Sequence, residues 1–567
     1  MPATSLSSRA ACGSPRHLLG AAALAAFVAL GAGCASPPPP AAQAPSAESS
    51  AAALAQYEEM AHKLHSPRLV AKLLFKQAQQ KKDAEHAMLA ALLALRAGDA
   101  KLADEAAALA EKLAPDQSET WAVQMQVALA RADLAAAGKA AVKAYALGGA
   151  QNVAIGLDGA VDPWFAYSIV APLAQAHPKD GAMQLVFART ALDAGDTAAA
   201  LAAAQAAHSF EPGERAAKLI EIQARWGLGQ RKEALAQAAR ALADNSRDTG
   251  FRVFYANLLA RAGQRMQARE VLNDARALAP DDPQVTFGYA LLAADEGKVA
   301  AAHAQLTAML ETGSDSTGVY NLLGQLAAHE GKWGEAFGWY ESIQSADDLA
   351  SSRVSSLFTL ARWKGMAAAE DYLTQLERGF QGLAPTWAGV HATLLAQDGK
   401  QEAAWKLLGT TLERYPMVRP LRYQRALLAD QLGKGADALA GLKRLVGEEP
   451  QNPMYLNAYG YTLTEHTTRY RDAYGYIKRA LAINPDDGAA LDSMGWVLYR
   501  LGESEKSLDY LRRAWKTTKD IDVARHLVTV YLALDERGEA TRVLTVALAK
   551  SPKDPALLQL KRQLAKQ

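Results

Sequence analysis

Prolines recur through this chain at a fixed interval. Pro178, Pro212 and Pro280 stand 34 and 68 residues apart; Pro416, Pro450 and Pro485 stand 34 and 35 apart; Pro485 and Pro552 stand 67 apart. A period held this long constrains the fold more than any single motif. Each period must be one supersecondary unit that cannot bury its apolar face alone and buries it on the next. Between prolines, each unit reads as two short amphipathic helices with a glycine between them and small alanines in the second. Proline ends the unit because it cannot continue a helix. Half of the residues are apolar, many of them Ala, the best helix former. Alternating runs of Val, Ile and Thr are scarce, which argues against a sheet. The length of 567 residues exceeds one ordinary core and suits an array.

The best units show the pattern residue by residue. One has Tyr320, Leu323 and Gly324 in its first helix, Gly331 at the turn, and Ala336 and Tyr340 in its second. Another has Leu456, Tyr459, Gly460 and Leu463, then Ala473, Ile477, Ala480 and Pro485. Leu491, Met494, Gly495 and Leu498, then Leu511 and Ala514, form the next, and Ala540, Leu544, Ala547 and Pro552 close the series. This pattern resembles the tetratricopeptide repeat (TPR). The resemblance implies an all-α superhelical solenoid of about a dozen helix-turn-helix repeats, with a concave surface lined by first helices. The array divides by motif quality into residues 51–315, partly degenerate, a middle stretch 316–450, and 451–567, where the repeats match best. Two stretches break the period: Leu147–Asp162, which reads as an irregular loop, and residues 345–385, where motif residues are weak. Both are candidate bends.

The N-terminus carries an address. Arg9 and Arg16 precede an uncharged run from Leu18 to Gly33 that ends in small residues, followed by Cys34 and four prolines, Pro37–Pro40. That run is short for a membrane span and reads as a signal peptide over residues 1–33. Leu30-Gly31-Ala32-Gly33-Cys34 resembles a bacterial lipobox, displaced by one residue because Gly31 stands where Leu is usual. The resemblance implies lipidation of Cys34, and acyl chains at about 0.8 kcal/mol per buried CH₂ anchor firmly. Ala35 after the cysteine implies, by the same resemblance, the outer membrane, facing the periplasm. Residues 34–50 read as a Pro/Ala-rich tether. With Cys12 inside the signal, the mature chain keeps one cysteine.

Charge excludes some partners. With 61 basic and 60 acidic residues and no basic block, a nucleic-acid partner is not expected. No catalytic set emerges either. His329-Glu330 begins a zinc-protease helix motif, but Gly331, Lys332 and Trp333 follow and no second histidine completes it. His62 and His65 share a helix face, but no Cys, Asp or His cluster completes a site. Gly227-Leu228-Gly229 lacks the third glycine and preceding strand of a dinucleotide loop, and Gly399-Lys400 and Gly433-Lys434 lack the Ser/Thr of a phosphate loop. The expectation is a protein without enzymatic activity, metal or cofactor.

What remains is a surface. In the tetratricopeptide fold, positions 5, 9, 12 and 13 of the first helix face the groove. In the last three units these positions hold Asn457, Tyr461 and Glu465; then Asp492, Trp496, Tyr499 and Arg500; then Arg525 and Thr529, with His526 beside them. Trp, Tyr and Arg are the usual hot spots of protein interfaces, although Trp496 and Tyr461 can equally pack between repeats. The run Leu456–Leu463, with Ala480–Asp487 and Leu491–Gly502, is similar to long proteobacterial tetratricopeptide lipoproteins of the outer membrane. A characterised type in that group is an adaptor for a periplasmic carboxyl-terminal-processing protease and its substrates, peptidoglycan cross-link hydrolases. The resemblance therefore implies such partners. The alternative is a scaffold for assembly of outer-membrane proteins, pili or exported polysaccharide.

Overall fold

The computed structural model describes Tyr57 and residues 66–566, apart from 160, 211–213, 245–246 and 314–315. Cys12, Cys34, the signal and tether, His62, His65 and Pro212 lie outside the described residues. Among the described residues there are 29 α-helices, one short 3-10 turn and no strand. By order and length they form fourteen first-and-second pairs, preceded by Pro67–Lys81 and followed by Pro555–Lys566. The helix Leu134–Gly156 serves twice, as the second helix of one pair and the first of the next. The all-α repeat architecture expected from the period is what the chain adopts, with two more pairs than the dozen anticipated.

Local chemistry accounts for the boundaries. Many first helices begin at an acidic or amide cap: Asp180, Asp248, Asp282, Asn452, Asp487 and Asp520 each accept a backbone N–H from the first turn, which satisfies donors the helix leaves open. Gly331 ends a first helix at φ +76°, a left-handed conformation open to glycine at little cost. The alanines of the second helices are contact points. Ala103, Ala200, Ala268, Ala302, Ala336, Ala404 and Ala438 are fully buried, because the neighbouring helix crosses there. Gly495 shows how close the approach is: an added Cβ would sit 2.5 Å from Leu511 Cγ and 3.0 Å from the Ser507 carbonyl.

Contacts group the described residues into two compact units. One, here the N-terminal unit, takes the chain up to Arg225 and Arg231–Leu394; the other, the C-terminal unit, takes Trp226–Gln230 and Leu395 onward. The N-terminal unit contains both breaks in the period. Leu147–Asp162 is mostly not the loop that its composition suggests. Helix continues to Gly156, interrupted only at Gly149 (φ +68°, ψ −163°), so a single glycine turns one helix into two and shortens the repeat. At the second break, the second helix Trp333–Glu341 stops after 9 residues and the following first helix, Ala346–Lys364, runs to 19. Arg353, buried in that long helix, donates to the carbonyls of Tyr340 (3.0 Å) and Ile343 (3.3 Å). Glu341 accepts the hydroxyls of Ser356 (2.6 Å) and Tyr372 (2.7 Å). The Arg353 bonds serve backbone carbonyls at and just beyond the end of the truncated helix, and the two hydroxyls tie its last side chain to the next pair.

Candidate functional site

Three consecutive first helices of the C-terminal unit, Pro453–His466, Gly488–Arg500 and Ile521–Ala533, carry every groove residue expected from sequence. The period sets their meeting. Residues 31 to 36 positions apart fall side by side on adjacent first helices, so polar groups one repeat apart become partners.

A connected lattice results. The Trp496 indole N–H donates to Glu465 Oε1 at 2.6 Å. One face of Trp496 stacks on His526, centroids 4.2 Å apart at 17°, and it also stacks with Tyr499 at 5.3 Å and 28°. His526 Nδ1 lies 2.9 and 3.0 Å from the two Asp492 oxygens. The side chains of both are about nine-tenths buried. Burial opposes the imidazolium charge, but Asp492, with Glu465 and Asp522 beyond it, outweighs that and holds the His526 pKa above its ordinary 6.5. Tyr461 lies 6.3 Å from the His526 ring. Burial, then Glu465, Asp492, Asp522 and Asp430, push its phenol well above 10, so it stays neutral.

The remaining expected residues fall around this centre. The Arg500 guanidinium lies 4.8 Å from the Tyr470 ring centre and 6.0 Å from that of Trp496, bonds the Tyr470 hydroxyl, and stands 3.8 Å from Glu465. Arg525 is turned away to Asp522 (2.6 Å) and Asp554 (2.9 Å). The side-chain amide oxygen of Asn457, Oδ1, is buried without a hydrogen-bond partner. The structure thus joins Tyr461, Asp492, Trp496, Tyr499 and Arg500 through Glu465 and His526, and holds Arg525 between Asp522 and Asp554 at the edge of that group.

Sequence reasoning left His526 at the margin, whereas it is the centre. It also missed Asp430, paired with His466 at 2.8 Å, and Asp522. The signal available was spacing: Asp492 and His526 are 34 residues apart, Asp430 and His466 36, Glu465 and Trp496 31. Chemically, a His–Asp pair can orient an imidazole, but this ring faces an indole. The adjacent Ser493 gives its hydroxyl to the Ala489 carbonyl. The arrangement suits recognition, with aromatic faces and an arginine on a rigid frame. Among the described residues, no group of three His, Cys, Asp or Glu side chains is placed to hold a metal, and no helix is long and apolar enough to cross a membrane.

No protein-family model matches the chain. It is similar to a TPR repeat-containing protein of Pseudomonas aeruginosa, 33% identical over 205 residues. That match takes in 36% of this chain and 35% of the relative, so the chain spans about a third of the curated relative's length. Among solved structures, a thermophilic TPR protein of Thermus thermophilus is 24% identical, over 31% of this chain and 94% of that one, at a TM-score of 0.28. An APC/C hetero-tetramer is 14% identical over 90% and 95%, at 0.34. With its helix pairs recurring near every 34 residues, its turn glycines and its small residues at the crossings, the chain is an all-α tetratricopeptide-repeat solenoid.

Proposed function

We propose that this protein is a non-catalytic scaffold, anchored to the outer membrane through a lipidated Cys34 and facing the periplasm. In this reading it recruits a carboxyl-terminal-processing protease and the peptidoglycan hydrolases that the protease cuts. The observation that carries the scaffold reading is the first-helix face of the C-terminal unit. Trp496 and Arg500, side chains of the hot-spot type, are held there by Glu465, His526 and Tyr470, and Tyr461 stands beside the same His526 ring. Pre-organised side chains lose less entropy on binding. The protease and its substrates are supported by the C-terminal run Leu456–Gly502, and the membrane anchor by the signal, Cys34 and tether.

Holding enzyme and substrate on one scaffold raises their effective concentration, strengthening engagement about 10²–10⁴-fold without new chemistry. Purified alone, the protein is expected to degrade nothing; added to the cognate protease, it accelerates cleavage of a cell-wall hydrolase. Trp496→Ala and Arg500→Ala weaken partner capture, and Cys34→Ser releases the protein from membranes or leaves an uncleaved precursor. If the protease is neither bound nor accelerated, the adaptor reading falls. Crosslinked copurification would then be expected to bring down assembly machinery for outer-membrane proteins, pili or polysaccharide.

A further inference from the structure

The two stretches that break the period meet in space. Both belong to the N-terminal unit, and what joins them is Asp162, at the end of the first break. Its backbone N–H donates to the Gly382 carbonyl at 2.9 Å, and its Oδ2 accepts the Thr386 hydroxyl at 2.7 Å. Asp162 and Thr386 are 224 residues apart in sequence. Neighbouring repeats bond one another at about one period, so a bond at this separation belongs to a different class of contact.

The irregular backbone at each break is what makes the contact available. On one side, Gly149 and the shortened repeat bring the chain out of helix just before Pro163, leaving Asp162 as the cap of Pro163–Ala176, where its Oδ1 also accepts the Trp164 N–H at 2.9 Å. On the other side, the 3-10 turn Gln381–Leu383 stands between Met366–Gly379 and Ala384–Gln397. The turn exposes the Gly382 carbonyl for an outside donor, since 3-10 connectors leave backbone groups open. It also lies against Ser118–Ala130, the helix that packs on the short arm after Gly149: Gln126 donates to the Ile155 carbonyl at 2.6 Å, and Gly156 is so close to Met125 that a Cβ would meet its sulfur at 2.7 Å. Asp162 is 3% exposed, and Gly382, Leu383 and Trp387 are buried with it. A buried polar contact of this kind is stable only while its members satisfy one another.

We propose that the two aperiodic segments are the halves of an internal clasp, in which Asp162 grips the Gly382 carbonyl of the 3-10 turn and Thr386 in the helix after it, closes the N-terminal array on itself and fixes how far it opens. A strictly periodic array has only nearest-neighbour contacts and flexes as the sum of small hinges. The clasp adds one contact across many repeats, so that stretch moves as a block or opens as a block. This inference is independent of the partner-binding face.

Hydrogen exchange on the full chain tests it. Thr386→Val removes the hydroxyl and leaves the Asp162 helix cap intact. It is expected to speed exchange about 10-fold both near residue 386 and at residues 161–166, on the far side of the clasp. Asp162→Ala is expected to do the same at residues 380–388. In the double variant the two effects across the clasp are expected not to add, because either change removes the same Asp162–Thr386 bond. Should Thr386→Val lose helicity, Thr386→Ser, which keeps the hydroxyl, is expected to restore wild-type exchange at both places. Exchange that rises only around the mutated residue, or strictly additive effects, overturns the clasp.

Discussion

The two units join their repeats in different ways. In the C-terminal unit the first helices reach across one period, so Glu465, Trp496, His526 and Asp492 form one lattice over three repeats. The N-terminal unit also has one-period links, such as Arg215 to Asp248 at 2.9 Å and Thr249 to Asp282 at 2.9 Å. It adds a link 224 residues long, and it does so where the period fails. Regular spacing yields a surface that repeats and can be read by a partner. Broken spacing frees backbone for a contact that a regular repeat has no place for.

Two tryptophans separate the roles most sharply. Trp387 of the N-terminal unit is 1% exposed and gives its indole N–H to the Phe380 carbonyl at 3.1 Å, behind the clasp turn. Trp387→Ala is expected to destabilise that unit by about 3–5 kcal/mol, the usual cost of a large buried aromatic. Trp496 is only partly buried, and Trp496→Ala is expected to leave the helices formed while weakening partner capture. Urea unfolding followed by circular dichroism checks both. A Trp496→Ala loss as large as that of Trp387→Ala would make Trp496 a core residue and erase the contrast.

The next contrast is in pH. Burial pushes Asp162 up to about 6, against the hydrogen bonds from Thr386 and Trp164 that pull it down. Its folded pKa is above the ordinary 3.8, so the stability linked to its proton is full below about pH 4 and is lost as pH rises through about 6. The gap corresponds to about 3 kcal/mol. Asp162→Asn keeps the cap and an acceptor for Thr386, and is expected to flatten this dependence and make the N-terminal unit more stable at neutral pH. A slope between pH 4 and 6 that survives in Asp162→Asn assigns it to another group.

His526 shifts in the same direction but in a different window. Its pKa lies above 6.5 because of Asp492, Glu465 and Asp522. Its contribution is therefore complete below about pH 6.5 and lost as pH rises through the higher folded value. The N-terminal unit is expected to weaken first as pH rises, the C-terminal unit later. Asp492→Asn is expected to lower the His526 pKa and cost about 1 kcal/mol near neutrality. Titration of isotope-labelled histidine by NMR measures the pKa; an unchanged value would remove Asp492 from the lattice.

These contrasts show what the sequence could reveal. The period and the small residues gave the repeat class, because Gly495 and the buried alanines are demanded by helix approach in any such array. That Tyr461 and Trp496 sit on first helices was legible for the same reason: a repeat assigns each position to a helix. His526 was not, since its importance comes from Asp492 one period earlier, and a per-repeat template does not compare repeats. The clasp was legible only as two gaps. Nothing local to Asp162 or Thr386 says they meet, because that contact depends on the accumulated turn of the helices between them.

The smallest expected effect asks whether the two units share one turn chemistry. The position that Gly331 fills between first and second helix is taken by Ala132 in the N-terminal unit and by Asp535 in the C-terminal unit, at φ +57° and +59°. A left-handed backbone costs an L-residue roughly 1–2 kcal/mol, while glycine loses roughly 0.5–1 kcal/mol more entropy on folding. Ala132→Gly is therefore expected to stabilise its unit by about 0.5–1 kcal/mol. Asp535→Gly is expected to gain less, because aspartate visits this conformation more easily than alanine and the change removes the exposed Asp535–Arg537 pair at 2.8 Å. Thermal or urea midpoints of the two variants give the ranking. Equal gains would mean that the side-chain bonds at Asp535 contribute nothing. A loss at Ala132 would mean that its methyl group packs usefully, so that the turn in the broken-period unit is held by contact as well as by backbone preference.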